Sequence, residues 1–380
     1  MFFYVECFFH LGGFMRETER EVLRFVEEYD VKFIRLAFSD LEGTQKNMSI
    51  MPCELEKAFS KGIPFDTSKF QGFFHKKAFL RPIANTLSLL PWRPQSGRVI
   101  RLYCDIVDEN GRHMEYDSRD ILSQTIEKGK KKGYEFQIGV ECEFYLFKND
   151  AYGHETTEPI DHGSYFDIAP LDQAENIRRD ICLTLEKMSI QPLSSHHEAG
   201  WGQNEIVFAE NEPLCACDNI MTYKSVVATM ASLSGYSASF HPLPIKDQPG
   251  SGLHFRIAIQ KNDVLLDERD EAMKQFKERI QKRLPEICAI LDTKEESYER
   301  VNRLDPKRLI EIDKEWLIVH SADSLCNPYL ALACMLEAGM CEETSCEKLP
   351  TNLEKARKIA QHSSFLSSFL NENILKVYSQ

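Results

Sequence analysis

Phe136-Gln137-Ile138-Gly139-Val140-Glu141-Cys142-Glu143-Phe144-Tyr145-Leu146-Phe147 places two carboxylates inside an otherwise apolar run. On a β-strand successive side chains face opposite ways, so Glu141 and Glu143 project together while Val140, Cys142 and Phe144 take the other face. Adjacent carboxylates repel and raise each other's pKa unless a cation lies between them. An isolated Glu-x-Glu is most often a solvated strand face. The apolar flanks argue otherwise, because a charge in a core needs a partner. Cys142, between the two glutamates, reads as a small core residue.

Two later stretches complete the pattern. His196-His197-Glu198, running on to Gly202-Gln203-Asn204-Glu205, adds two carboxylates, with Gly200 and Gly202 permitting a tight backbone path. Gln203 and Glu205 share a strand face, and Glu143, Glu198 and Glu205 are expected to enclose one cation. In Gly250-Ser251-Gly252-Leu253-His254 the glycines let backbone approach a ligand closely. His254, Arg256 and Ala258 then point one way, and Leu253, Phe255, Ile257 and Ile259 point to the core. A lone histidine is more often structural, but one leaving a glycine turn beside an acidic cluster is a better ligand candidate. Hard cations such as Mg²⁺ and Mn²⁺ take oxygen ligands with an occasional imidazole, and they bridge carboxylates to phosphate. The pattern predicts a metal-dependent phosphoryl-transfer enzyme.

The bulk properties restrict the setting. At 380 residues the chain is long enough for two domains, and a net charge of −13 gives no basic footprint for nucleic acid or an anionic membrane. Anionic nucleotide remains compatible where metal screens it. No apolar run reaches the ~18 residues of a membrane span. The 12 cysteines are scattered without a CxxC pair, which favours reduced thiols and a cytoplasmic location. Residues 1–14 are apolar and lack a basic n-region, so they do not read as a secretory signal. They are either an extension ahead of a start at Met15 or an apolar arm at a subunit contact.

Periodicity predicts a helix over residues 16–26 and an alternating strand over 31–38. Asp40, Gly43 and Asn47 mark turns in 40–47, and a second strand covers 99–106. Residues 15–111 thus read as a small α+β unit. Asp117 or Ser118 caps a helix to about Lys132, opening a second unit over 112–380. In that unit helices are expected over 175–188, 219–234, 267–284 and 353–378, with a strand over 255–260.

The order of these motifs resembles glutamine synthetase in its bacterial class I form, from Met15 to about Tyr378, as a shortened and divergent member. The resemblance is carried by Val31-Lys32-Phe33-Ile34-Arg35-Leu36, Phe65-Asp66-Thr67-Ser68 and Tyr165-Phe166-Asp167-Ile168-Ala169-Pro170. It continues through Glu175-Asn176-Ile177-Arg178-Arg179-Asp180-Ile181, Phe240-His241-Pro242 and Asn327-Pro328-Tyr329-Leu330-Ala331-Leu332-Ala333. It implies an α+β fold: a β-grasp amino-terminal domain over 15–111, then a catalytic domain over 112–380 with a curved antiparallel sheet and flanking helices. The implied reaction uses ATP and Mg²⁺ or Mn²⁺. Glutamate is phosphorylated on its γ-carboxylate, and ammonia or another amine displaces the phosphate. By motif, Glu143, Glu198 and Glu205 would hold the metal facing glutamate, and Glu141 and His254 the metal at the nucleotide phosphates. Gly250 would contact glutamate through its backbone and Arg300 would pair with its carboxylate. Asp66 would reach a neighbouring subunit's site to help deprotonate ammonium. A homo-oligomeric ring is implied, or a hetero-oligomer with a full-length synthetase.

Departures from the family pattern are as specific as the matches. Its second metal site takes a glutamate nine residues before the Asn of Asn-Pro-Tyr, where this chain has Ile318. The arginine two positions on is His320, which stands as a substrate-binding candidate or a substitute ligand. The segment between Arg300 and Ile318, which in the family carries a glutamate-bearing flap and further arginines, is short here. Arg303, Lys307 or Arg308 could supply its charge, and Glu311 falls near a family arginine. A family lysine is Leu243 and a nucleotide-contacting serine is Ala258. The carboxy-terminal arm that joins stacked rings is also missing, which points to a single ring or a smaller oligomer. These losses leave two expectations: a working ligase, or an impaired paralogue that binds metal or nucleotide or regulates a full-length synthetase.

Overall fold

Asp40 closes a tight turn near the start of the chain, accepting the Thr44 N–H through Oδ1 at 2.8 Å. A computed structural model describes residues 19–74, 77–305, 308–343 and 348–379. The expected amino-terminal extension, the first residues of the first helix and Lys307 lie outside them. Helix α1 (Glu19–Glu28) buries Val22 and Val26, four apart on one face, against the first sheet. Strands β1 (Val31–Ser39) and β2 (Gln45–Ile50) form a hairpin across the Asp40 turn. Gly43 holds a φ of +77° there, and a Cβ on it would sit 2.7 Å from the Cys326 carbonyl, so only glycine fits. After α2 (Leu55–Lys61) come β3 (Ile63–Asp66), β4 (Lys77–Pro82), β5 (Ser88–Leu89) and β6 (Arg98–Val107). The six strands order as β2-β1-β6-β4-β3 with β5 on β6, and β1 runs parallel to β6.

The second layer begins as its cap predicts. Asp117 accepts the Arg119 N–H at 3.1 Å and starts α3 (Ser118–Lys131), while its other oxygen takes the Ile106 N–H at 2.8 Å. One carboxylate thus ties the helix to β6. The long strand β7 (Tyr134–Asn149) then forms the spine of a nine-stranded antiparallel sheet. β8 (Glu155–Pro159), α4 (Glu175–Lys187), β9 (Pro192–His197), β10 (Gln203–Asn211), α5 (Pro213–Leu233), β11 (Tyr236–Ser239), β12 (Leu253–Lys261) and β13 (Val264–Leu265) follow. Next come α6 (Glu271–Leu291), α7 (Glu295–Asn302), β14 (Ile310–Asp313), β15 (Trp316–Val319) and α8 (Pro328–Met340). The main path of the sheet is β14-β15-β12-β7-β10-β9.

Phe136, Ile138, Val140, Cys142, Phe144 and Leu146 on β7 are all buried at 5% exposure or less. Tyr223 of α5 donates to the Cys142 carbonyl at 2.9 Å, which fixes the helix on this face. The opposite face of β7 carries Glu141 and Glu143, as alternation requires.

Three helix limits differ from expectation. α5 starts six residues early, because Pro213 suits the first helical turn. α6 starts late, because Asp267 accepts the Arg269 N–H at 2.8 Å and closes a turn, and it continues through Pro285 to Leu291. The tail divides into α9 (Leu353–Gln361), α10 (Ser364–Ser367) and α11 (Glu372–Ser379), with Ser363 accepting the Leu366 N–H at 3.0 Å as a cap. The two layers are joined by polar contacts. The Tyr103 hydroxyl on β6 donates to the Asp218 carbonyl on α5 at 3.0 Å, and Asn327 donates to the Asp40 carbonyl at 2.9 Å.

Candidate active site

β-Sheet register brings the three sequence stretches side by side. Glu143 on β7 lies opposite Glu205 on β10, and Glu141 lies opposite His254 on β12. Glu205 also lies opposite His196 on β9. Carboxylates and imidazoles separated by up to 113 residues thus share one sheet face.

Two groups of possible ligand atoms result, each within 4.8 Å: Glu141, Glu205 and His254, and His196, Glu198 and Glu205. Glu205 belongs to both. Glu143 belongs to neither, because its carboxylate turns to accept the Gly252 N–H at 2.7 Å and the Gln203 amide at 3.3 Å. Glu143 nevertheless stands opposite Glu205 in register, close enough for its charge to act on Glu205 and Glu198, and His196 joins the expected group of Glu143, Glu198 and Glu205 as a further neighbour. His196 Nε2 lies 2.7 Å from Glu198 Oε1. Its alternation with Ser195 and His197 on a strand could have found it. His197 points the other way, is fully buried, and contacts Asp161 at 2.9 Å through Nε2.

The electrostatics record the crowding. Burial, then the Glu143 and Glu141 charges, raise the Glu205 carboxyl to about 8. Burial also pushes Glu143 up. Glu141 is held below the usual range by its contact with His254, whose Nδ1 is 3.5 Å away. Burial pulls His254 down, but the Glu141 contact and the Glu143 charge outweigh it, leaving the imidazole raised. A face of hard carboxylate oxygens with imidazole at its edge suits a divalent cation, which would relieve this repulsion.

Close backbone approach is enforced around it. A Cβ on Gly250 would lie 2.3 Å from the Pro242 carbonyl, and one on Gly252 would lie 2.5 Å from His254 Nε2. Arg300, on α7, is 5% exposed; it donates to the His320 carbonyl at 3.2 Å and to the Ser321 carbonyl. Its stem lies under Gly250, and its buried Nε has no partner. His320 sits beside His254 with ring centroids 4.7 Å apart, and its Nε2 is 3.1 Å from Glu311. Ile318 faces the site one strand over, opposite Arg256 in register. Arg256 reaches within 3.5 Å of Glu141. Arg303 is engaged elsewhere, donating to the Gln248 and Lys246 carbonyls. Asp66 lies apart, exposed at the end of β3 in the other sheet, where it accepts the Ser68 N–H at 2.9 Å.

Comparison with known proteins agrees with this geometry. The glutamine synthetase beta-Grasp domain family matches residues 30–109, and the glutamine synthetase catalytic domain family matches residues 115–306. Glutamine synthetase of Clostridium saccharobutylicum is 37% identical over 353 residues, covering 85% of this chain and 79% of the relative. That of Methanosarcina mazei is 34% identical over 415 residues, covering 95% and 92%. The solved structure of apo GmaS superposes with a TM-score of 0.84 at 21% identity, covering 94% of each chain. The cryoEM structure of Plasmodium falciparum glutamine synthetase gives 0.83 at 18%, covering 95% and 94%. The structural likeness shows the shared fold of a β-grasp domain and a curved catalytic sheet with helices. Two matching domains, relatives above 30% identity along most of the chain and one carboxylate-lined sheet face lead to a single conclusion: this chain belongs to the glutamine synthetase family.

Proposed function

We propose that this chain is a metal-dependent ligase that uses ATP to join glutamate to ammonia or a related amine through a γ-glutamyl phosphate. The observation that carries the reading is the convergence of Glu141, Glu205 and His254, with Glu205 shared by His196 and Glu198. These residues would hold Mg²⁺ or Mn²⁺, which when bound neutralises phosphate charge during transfer. Glu143, which also accepts the Gly252 N–H, would complete the ligand set with Glu198 and Glu205, and Gly250 offers backbone at close range. Arg300, whose stem lies against Gly250, would pair with a substrate carboxylate, and His320 borders the same face. Asp66 is exposed and would act in a neighbouring subunit's site within a homo-oligomeric ring. The exposed loop side chains Tyr165, Phe166, Ile168 and Leu171, at 54–75% exposure, support such contacts between copies. We place the enzyme in the cytoplasm, with residues 15–111 and 112–380 as its domains. The ten cysteines among the described residues are free thiols, and no described helix is long and apolar enough to cross a membrane.

A coupled phosphate-release assay with ATP, Mg²⁺ or Mn²⁺, glutamate and a panel of amines tests the reading. Substrate-dependent release that Glu205→Gln abolishes is the expected result. A folded protein that binds Mn²⁺ yet releases no phosphate with any amine would sink it. One observation favours a second reading, a non-turning-over paralogue that binds metal or nucleotide or joins a full-length synthetase. Arg256 already neutralises Glu141, and Ile318 supplies no carboxylate beside it.

A further inference from the structure

The six-stranded sheet turns a polar face toward α5, and that face is positive. Arg35 on β1 is the register partner of Arg101 on the parallel strand β6. Like charges at paired positions repel. Arg101 is only 7% exposed, yet its Nη1 donates to neutral acceptors alone, the Tyr103 hydroxyl at 2.9 Å and Thr222 Oγ1 at 2.5 Å. Its buried Nε has no partner. Arg35 and Lys224 form no ion pair among the described residues. Burial and the charge of nearby Arg93 both pull the Arg35 pKa down, consistent with an unneutralised positive field.

Across from this face, α5 presents Met221, Lys224, Ser225 and Ala228, one helical stripe at i, i+3, i+4 and i+7. Between them lies a cavity of about 610 Å³. Its cations are Arg35, Lys224, Lys294 and Arg357, against the single carboxylate Glu42. This is a reversal of sign in a chain of net charge −13. A smaller recess sharing Arg35, Gln45, Asn47 and Ser225 continues to Arg101. No residue of either ligand group at the candidate active site lines these spaces. Guanidinium forks match carboxylate and phosphate oxygens, and the volume suits a small organic ligand.

We propose that this cavity between the two domains binds a small organic dianion through phosphate or carboxylate oxygens, gripped by Arg35 from the amino-terminal sheet and Lys224 from α5. The ligand ties the sheet to the helix, so its binding stabilises the folded chain in proportion to occupancy. The site is independent of the ligase reading.

Isothermal titration and thermal unfolding of the full chain test it, with inorganic phosphate and succinate in separate arms. Ionic strength is held constant with chloride, and EDTA removes metal from the active site. Saturable binding of either anion supports the proposal, and the tighter of the two identifies the head group. Arg35→Gln and Lys224→Met should each weaken binding about tenfold or more, while Glu205→Gln should leave it unchanged. Hydrogen exchange on the unaltered protein should show anion-dependent protection of residues 35–47 and 221–228. Absence of saturable binding overturns the proposal. So does binding that survives both cavity substitutions or is lost in Glu205→Gln. Protection confined to residues 141–143 and 203–205 overturns it as well.

Discussion

The two sheets each gather like charges on one face, with opposite sign. The nine-stranded sheet brings Glu141, Glu143 and Glu205 together on β7 and β10, and the six-stranded sheet sets Arg35 beside Arg101. In both places partial burial makes the repulsion matter, because a lower dielectric strengthens it. The acidic face has histidines at its margin and glycines that admit a ligand. The basic face has neutral hydroxyls and amides around a cavity. The difference teaches that crowded charge marks an absent counterion, and that the neighbouring donors decide its kind.

The largest effect is expected on the acidic side. Glu205→Gln should reduce phosphate release by a thousandfold or more, roughly the loss expected for a group that holds charge in the transition state. In metal-free protein the same change should act oppositely on stability. The folded Glu205 carboxyl is raised from 4.5 to about 8, so the folded chain binds that proton more tightly than the unfolded one. Its contribution is most favourable below the unfolded pKa and declines as pH rises toward about 8. Denaturant melts across this range should show that slope in the original chain and lose it in Glu205→Gln, with a difference on the order of a few kcal/mol at the alkaline end. A slope unchanged by the substitution would remove the case for crowding.

Gly250→Ala comes next. The new methyl would overlap the Pro242 carbonyl and the Arg300 stem, costing about 1–3 kcal/mol in unfolding free energy and displacing Arg300. Ile318→Glu sharpens the comparison from another direction, adding a carboxylate opposite Arg256 on the acidic face. Mn²⁺ titration should register about tenfold tighter binding, within the range one ligand-shell change produces. Unchanged affinity would show that β15 stands too far from the ligand group to contribute. Smallest is Arg35→Gln in anion-free protein, which relieves repulsion at a half-buried position. Chemical denaturation should find it equal to or up to about 1 kcal/mol more stable than the original chain. A clear loss of stability would mean that Arg35 has a structural partner rather than an absent ligand.

Much of the acidic site was legible because strand alternation is a local rule. Glu141 with Glu143, and His254 with Arg256, followed from a period of two alone. The glycines were equally readable, since Gly250 and Gly252 precede a histidine on a strand. What alternation could not supply was the side-chain direction that takes Glu143 to the Gly252 N–H and leaves His196 beside Glu198. The helix limits erred where local hydrogen bonds competed with periodicity, as at Asp267 and Ser363. The basic face left no comparable trace. Arg35 was read as the polar residue of a half-buried strand, and Arg101 sits in a strand with no motif around it. Their adjacency depends on pairing between strands more than sixty residues apart.

The sequence by itself determined the family, the α+β class and which residues share each strand face, because side-chain period and motif order are properties of the chain. Only the tertiary structure decided which faces meet. Register set Glu205 between two ligand groups, drew His320 against His254, and placed Arg35 and Lys224 on opposite walls of one cavity. The physical reason is that charge interactions depend on distance through space and on local burial, and neither is encoded by spacing along the chain.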